Sequence, residues 1–313
     1  MLTATYRVVT PMFLGGADPT KEAELRLPSF KGALRFWWRA MMWGEIGDVA
    51  KLRQMEALLF GSTSEGQSRV LMRLSSPLTS TMRVDGEWKP SSWEQYTGYG
   101  IRDKGERCFI RGGHEWTVEL NLRRCDAAQF DQVLHALKLV GLVGGLGSRS
   151  RKAWGSLTLV ALDGAAWQRP SDQAAWRSAV DSLIVSSRSG EAPFTAFTNA
   201  SRWEAGPVLA SATVAQSWLG RRYQETVKGT EPKADRAQFG LPRQFAGSTA
   251  PRKERRGSPL MLHIHDCGNG KALPTALWLP SRFLADEPRI PGDGASARGF
   301  VQTLGSPAAS SAR

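Results

Sequence analysis

The chain has 313 residues, 41% of them hydrophobic, with a net charge of +12 and an isoelectric point near 10. That length supports one large packed domain or two ordinary ones, and the charge favours a polyanionic partner, nucleic acid before anionic membrane. Three scattered cysteines (Cys108, Cys125, Cys267) form no CxxC pair, no apolar run approaches the roughly 18 residues of a membrane span, and Met1 opens no leader peptide. These features argue against zinc knuckles and membrane spans and point to a reducing, cytoplasmic setting.

In chain order, residues 2–10 alternate as a strand, and PMFLGGADPT breaks into a loop. Pro28-Ser29 opens a helix, with Ser29 as expected N-cap and Gly44 as expected stop. Phe30, Leu34, Trp37, Trp38 and Met41 form its apolar stripe. Lys31, Arg35 and Arg39 run four apart beside that stripe, and no acid lies between Ser29 and Trp43. Helix-surface charges usually alternate in sign, so an unpaired row repels itself unless an anion lies along it.

A second helix is expected over 48–60 and a strand over 69–74. Residues 77–113 read as an irregular insertion carrying Trp88, Trp93, Tyr96, Tyr99, Arg102 and Arg111, a mixture suited to stacking on unpaired bases. A strand over 116–122, an Asp126-capped helix to about Val143 and a strand over 154–162 follow. The order βαββαβ predicts an α+β, ferredoxin-like (RRM-like) first domain over 1–163. Residues 164–190 read as a connection, 191–290 as a second, less regular sheet-plus-helix unit, and 291–313 as a mobile Gly/Ala/Ser-rich tail.

The strongest local signal is GLVGGLGSRSRKAWGSL, Gly141–Leu157. Gly145, Gly147 and Ser148 offer a backbone that approaches a ligand closely, and Arg149, Arg151 and Lys152 supply charge for phosphates. The loop follows a helix rather than preceding one, so it is neither a Rossmann fingerprint nor a P-loop. A basic run, Arg252, Lys253, Arg255 and Arg256, reads as a solvated loop or a groove edge. His263 and His265 alternate beside Asp266-Cys267 without a third ligand at metal spacing. Asp18, in GGADPT, is a turn residue or a carboxylate that holds Mg²⁺ beside a phosphate.

Several stretches carry a resemblance: TPMFLGGAD (Thr10–Asp18), LRLPSFKGALRFWWRA (Leu25–Ala40), ALLFGS (Ala57–Ser62), QYTGYG (Gln95–Gly100), GGLGSRSRKAWGSL (Gly144–Leu157), FGLP (Phe239–Pro242) and RRGSPL (Arg255–Leu260). Together they resemble the first-numbered subunit of the Cmr complex, the type III-B CRISPR effector, within the RAMP superfamily. The resemblance implies two ferredoxin-like domains, antiparallel sheets each covered by helices. It also implies a place among other Cmr RAMP subunits, with CRISPR RNA and target RNA as partners near the guide 3′ end.

Related subunits cut target RNA with a loop aspartate near the place of Asp18, whereas members resembling this chain bind rather than cut. No catalytic residue, cofactor or metal is therefore expected. The loop departs from the superfamily's tighter G-x-G-x-x-x-x-G form, and Gly257 stands where the family has alanine in R-R-A-S-P-L. The expected RNA-binding set is Lys31, Arg35, Arg39, Gly145, Gly147, Ser148, Arg149, Arg151, Lys152, Arg255 and Arg256. The competing readings are a metal-dependent endoribonuclease using Asp18 and a purely structural capping subunit.

Overall fold

The computed structural model describes residues 1–75, 77–82, 91–101, 107–184, 192–241, 255–284, 286 and 289–305. Trp88, Arg102, Arg252 and Lys253 lie outside the described residues.

The first unit is built as the alternation dictates. In β1 (Leu2–Val8), Leu2, Ala4, Tyr6 and Val8 are buried while Thr3, Thr5 and Arg7 face the other way. The short β2 (Ala23–Glu24) leads into α1 (Leu27–Ile46), and α2 (Val49–Phe60) follows with Asp48 accepting from Lys51 N at 2.7 Å as N-cap. Then come β3 (Val70–Leu74), the short β4 (Thr79–Ser80), α3 (Ser92–Thr97) and β5 (Glu115–Leu122). Asp126 and Gln129 form a reciprocal cap on α4 (Ala127–Val143), and β6 (Leu157–Leu162) closes the unit. The sheet order is β3-β5-β1-β6, every pair antiparallel, with α1 packed against α4 over one face. That is the ferredoxin-like arrangement.

α1 departs from expectation at both ends. Arg26 occupies the N-cap position without a side-chain cap, Pro28 sits in the first turn, and Ser29 is already helical. Proline fits there because its missing N–H would have no partner anyway. The helix runs through Gly44, which is buried, and stops at Gly47 in the left-handed conformation (φ 58°).

The 164–190 stretch holds β7 (Ala165–Ala166) and α5 (Gln173–Asp181), whose buried Trp176 donates Nε1–H to Leu142 O at 3.0 Å. The second unit comprises β8 (Arg202–Ala205), α6 (Ala212–Gly229), β9 (Leu260–Gly268), β10 (Lys271–Trp278) and α7 (Ala295–Leu304). Its antiparallel sheet runs β8-β10-β9, the order of the first three strands of the same plan. Asn269 and Gly270, both with positive φ, make the two-residue β9–β10 turn.

Residues 295–304 are thus not the mobile tail expected. α7 seats Phe300, Val301 and Leu304 in the core, and Ala297 N donates to Gln238 Oε1 at 2.9 Å. Burial of these side chains at about 25 cal/mol per Å² outweighs the flexibility that the composition favours.

β9 is covered on both faces. Leu260, Leu262 and Ile264 join the core beneath α6 and α7, whereas Met261 joins the first unit's core. Ser156 Oγ and Thr158 Oγ1 accept from the main-chain N–H of Ile264 (3.1 Å) and Asp266 (3.0 Å), tying β9 to β6. No helix among the described residues is long and apolar enough to cross a membrane.

Candidate nucleic-acid interface

The glycine-rich loop is ordered by backbone meeting backbone. Leu146 N donates to Gly155 O (2.9 Å), Ser148 N to Phe13 O (2.9 Å) and Gly155 N to Pro11 O (2.9 Å). Thr10 Oγ1 donates to Ala153 O (2.8 Å) and accepts from Ser156 N (3.0 Å). Gly147 has φ 86°, and a Cβ there would sit 2.6 Å from Phe13 O; one at Gly145 would meet Gly155 O at 2.8 Å. These glycines therefore serve the chain's own close packing, and the loop presents its far side to solvent.

Two clefts flank that loop and share Leu14 and Gly147. The first, of about 390 Å³, lies against the Phe13–Pro19 segment, with Arg26, Arg107 and Ser148 on its walls. The second, also about 390 Å³, lies between the loop and the α1 face made by Ser29, Ala33, Phe36 and Trp37. Arg107 Nη1 donates to Ser148 Oγ at 3.1 Å. Arg26 and Arg149 are exposed, Arg149 at φ 61° on the crest of the loop. Neither of them, nor Arg107, has a carboxylate partner among the described residues. Two cations on the first cleft and a third on the loop beside it attract an anion, and two clefts that share lining residues suit an extended one.

The predicted basic set is split by the fold. At about 100° per residue, the Lys31–Arg35–Arg39 row is centred about 145° round α1 from the face that lines the cleft. It is also not unpaired: Glu56 of α2, with a side chain 5% exposed, accepts from Arg35 Nε at 2.6 Å and Arg39 Nη1 at 3.2 Å. Lys31 is half-buried, and burial together with Arg35 lowers its pKa.

Arg151 and Lys152 turn inward. Arg151 donates to Ser258 O at 2.7 Å and lies over Phe36, and burial lowers its pKa. Lys152 Nζ donates to Tyr223 Oη at 2.6 Å and approaches Ser258 Oγ at 3.3 Å. Both clamp the strand that enters β9; Arg151 also lines the second cleft, whereas Lys152 lines neither. Arg256 donates to Ser281 O at 3.1 Å and lies over Phe283, while Arg255 is exposed. Of the predicted residues, Gly145, Gly147, Ser148 and Arg151 line the clefts, and Arg149 stands on the crest of the loop between them and solvent.

Arg26 and Arg107 were missed by the sequence reading, although period-two alternation marks both. In LRL, Leu25 is buried and Arg26 exposed; in RCFI, Cys108 and Ile110 are buried and Arg107 lies on the other side.

Asp18 closes its own turn. Its carboxylate accepts from Thr20 N (3.0 Å) and Thr20 Oγ1 (2.6 Å) and faces Lys21 Nζ at 3.3 Å, contacts that hold its pKa below the usual range, the Thr20 hydroxyl foremost. His263 and His265 are buried near the main chain of Gly144 and of Gly141 and Pro170, with no ring nitrogen in hydrogen-bonding geometry. Burial pushes the Cys267 thiol up to about 11. Among the described residues no three His, Cys, Asp or Glu side chains group as metal ligands.

The model of the RAMP superfamily matches residues 5–158, the span from β1 through the glycine-rich loop into β6. This first unit is what the RAMP-superfamily model matches, just under half of the chain. Within curated proteins it is 35% identical over 142 residues to CRISPR system Cmr subunit Cmr1-1 of Pyrococcus furiosus, covering 44% of this chain but only 41% of that relative. It is 28% identical over 169 residues to Cmr1-2 of the same organism, covering 48% of this chain and 89% of that relative.

Among solved structures, the apo crystal structure of Cmr1 from Pyrococcus furiosus matches with a TM-score of 0.58 at 22% identity, over 88% of this chain and 86% of that one. A chain of a type III-B Cmr-beta complex bound to cognate target RNA and AMPPnP matches with a TM-score of 0.64 at 11% identity, over 97% and 98%. These structural likenesses establish the fold: α+β, with antiparallel ferredoxin-like sheets covered by helices.

Proposed function

We propose that the chain is a Cmr1-type subunit of a type III-B CRISPR effector, and that its RAMP domain holds the backbone of CRISPR RNA or target RNA without reading sequence. The observation that carries this reading is the pair of clefts that share Leu14 and Gly147, with Arg26 and Arg107 on the wall of the first and Arg149 exposed on the adjoining loop, all three without carboxylate partners among the described residues. Phosphate contacts of this kind position a strand, and guide–target pairing supplies specificity. The curated Cmr1 relatives and the fold shared with a target-RNA-bound Cmr-beta chain support it. Other Cmr subunits are then its protein partners.

The nuclease reading is weaker because the Asp18 carboxylate is committed to Thr20 and Lys21 within its own turn. A purely structural cap would leave the clefts without RNA. Photocrosslinking with 4-thiouridine-substituted RNA separates these readings. Crosslinked peptides are expected from Phe13–Arg26, Arg107–Ile110 and Gly145–Ser150. Crosslinks confined to the outer face of α1, or none to this chain within an assembled complex, would overturn the reading.

A further inference from the structure

We propose that Tyr99, on the turn packed against the cluster that walls the first cleft, is a stacking platform for one unpaired RNA base, an inference that rests on the RNA-backbone reading above. Tyr99 is 69% exposed, the only exposed tyrosine, tryptophan or phenylalanine ring among the described residues. A lone exposed apolar side chain is ordinary on a protein surface. What sets Tyr99 apart is how firmly its turn is held and where it stands.

The turn Gly98-Tyr99-Gly100 follows α3, whose Ser91 N donates to Glu94 Oε2 at 2.7 Å in a capping box. Gly98 N donates to Glu94 O at 2.8 Å, and Ile101 N closes the turn onto Gly98 O at 2.9 Å. A Cβ at Gly98 would lie 2.8 Å from Glu94 O and 3.4 Å from the Trp154 ring, and Gly100 has φ 83°. Ile101 is buried in a small cluster with Phe13, Trp93 and Trp154. Trp93 stacks on Trp154 at 6.4 Å, and Phe13 meets Trp154 edge-on at 5.7 Å. Phe13 also lines the first cleft. One aromatic cluster therefore fixes both the cleft wall and the base of the Tyr99 turn.

An exposed ring on a backbone-fixed turn, packed through Ile101 on the cluster that walls a cationic cleft, has the form of a single-strand binding site, in which the groove tracks phosphates and an aromatic side chain takes a base. Stacking of this kind tolerates every base, in keeping with backbone recognition.

The test uses the full chain and two fluorescein-labelled strands of equal length, one of oligouridine and one carrying abasic sugars throughout. Tyr99→Ala is expected to weaken oligouridine binding at least about fivefold, with an unchanged salt slope. The same variant is expected to bind the abasic strand as wild type does, and Tyr99→Phe to keep oligouridine affinity. Equal affinity of Tyr99→Ala for oligouridine, or an equal loss on both strands, overturns the stacking role, including the outcome in which Tyr99 instead anchors a neighbouring subunit. Replacing Arg26, Arg107 and Arg149 with alanine must weaken both strands. If it does not, or if wild type binds neither strand, the RNA-backbone reading itself fails.

Discussion

Replacing Asp266 with alanine is expected to cost about 3 kcal/mol of stability, read as a lowered urea midpoint. Asp266 Oδ2 accepts from Arg7 Nη1 at 2.8 Å and Arg169 Nη1 at 2.7 Å, while Oδ1 accepts from Gly268 N at 2.8 Å. One carboxylate on β9 thus ties the first sheet, the segment before α5 and the β9–β10 turn. Arg7 retains Glu115 as a partner, but Arg169 is left with no other ion pair among the described residues. Removing one member of a buried pair costs about 3–5 kcal/mol because the other charge stays desolvated. The lower figure applies because Arg7 is about one-third exposed and keeps Glu115. Asp266→Asn, which retains an acceptor for Gly268, is expected to fall between. A loss well under about 1 kcal/mol for the alanine variant would show that the surface value for an ion pair applies instead.

Acid is expected to unfold the protein earlier than its exposed carboxylates alone would dictate. Burial pushes His263 down to about 3 and His265 down to about 4, with Asp266 opposing and Arg169 reinforcing the effect on His265. Both rings stay neutral in the folded chain, while the unfolded chain takes up two protons as pH falls through about 6.5. The unfolded state then binds more protons, so stability falls with pH across the window from about 6.5 to about 4. The slope is about 1.4 kcal/mol per pH unit for each histidine, or about 2.7 for the pair. Above that window the pair contributes no pH dependence. Half-buried His135, lowered by burial and Lys138, acts in the same direction. Denaturant midpoints measured from neutral pH to pH 5 should show this slope, and His263→Gln with His265→Gln should remove most of it. A flat profile in wild type would contradict it.

The first unit was legible because β1 and β5 alternate and Asp126 caps a well-spaced helix. The basic row on α1 misled for two reasons. Its compensating acid, Glu56, lies 21 residues beyond Arg35 on another helix. The helical phase did separate the row from the Ser29–Trp37 face, but only the fold shows which face meets the glycine-rich loop. Nothing local reveals that the entry to β9 will engage Arg151 and Lys152, leaving only Arg151 on a cleft wall. The terminal helix was hidden by its Ala, Ser and Gly content, although Ala297, Phe300, Val301 and Leu304 carry helical spacing. In the glycine-rich loop, sequence showed that the chain turns tightly but not whether the close approach serves a ligand or the Phe13 segment.

The most direct measurement of the central claim is the salt dependence of RNA affinity. Each phosphate contact on a single strand contributes about 0.7 to the slope of log K against log salt. Replacing Arg26, Arg107 and Arg149 together with alanine is expected to flatten that slope by about 2, alike for all RNA sequences. Arg35→Ala with Arg39→Ala should leave it nearly unchanged. An unaltered slope in the triple variant, or an equal flattening from the α1 pair, would contradict a backbone track along the two clefts.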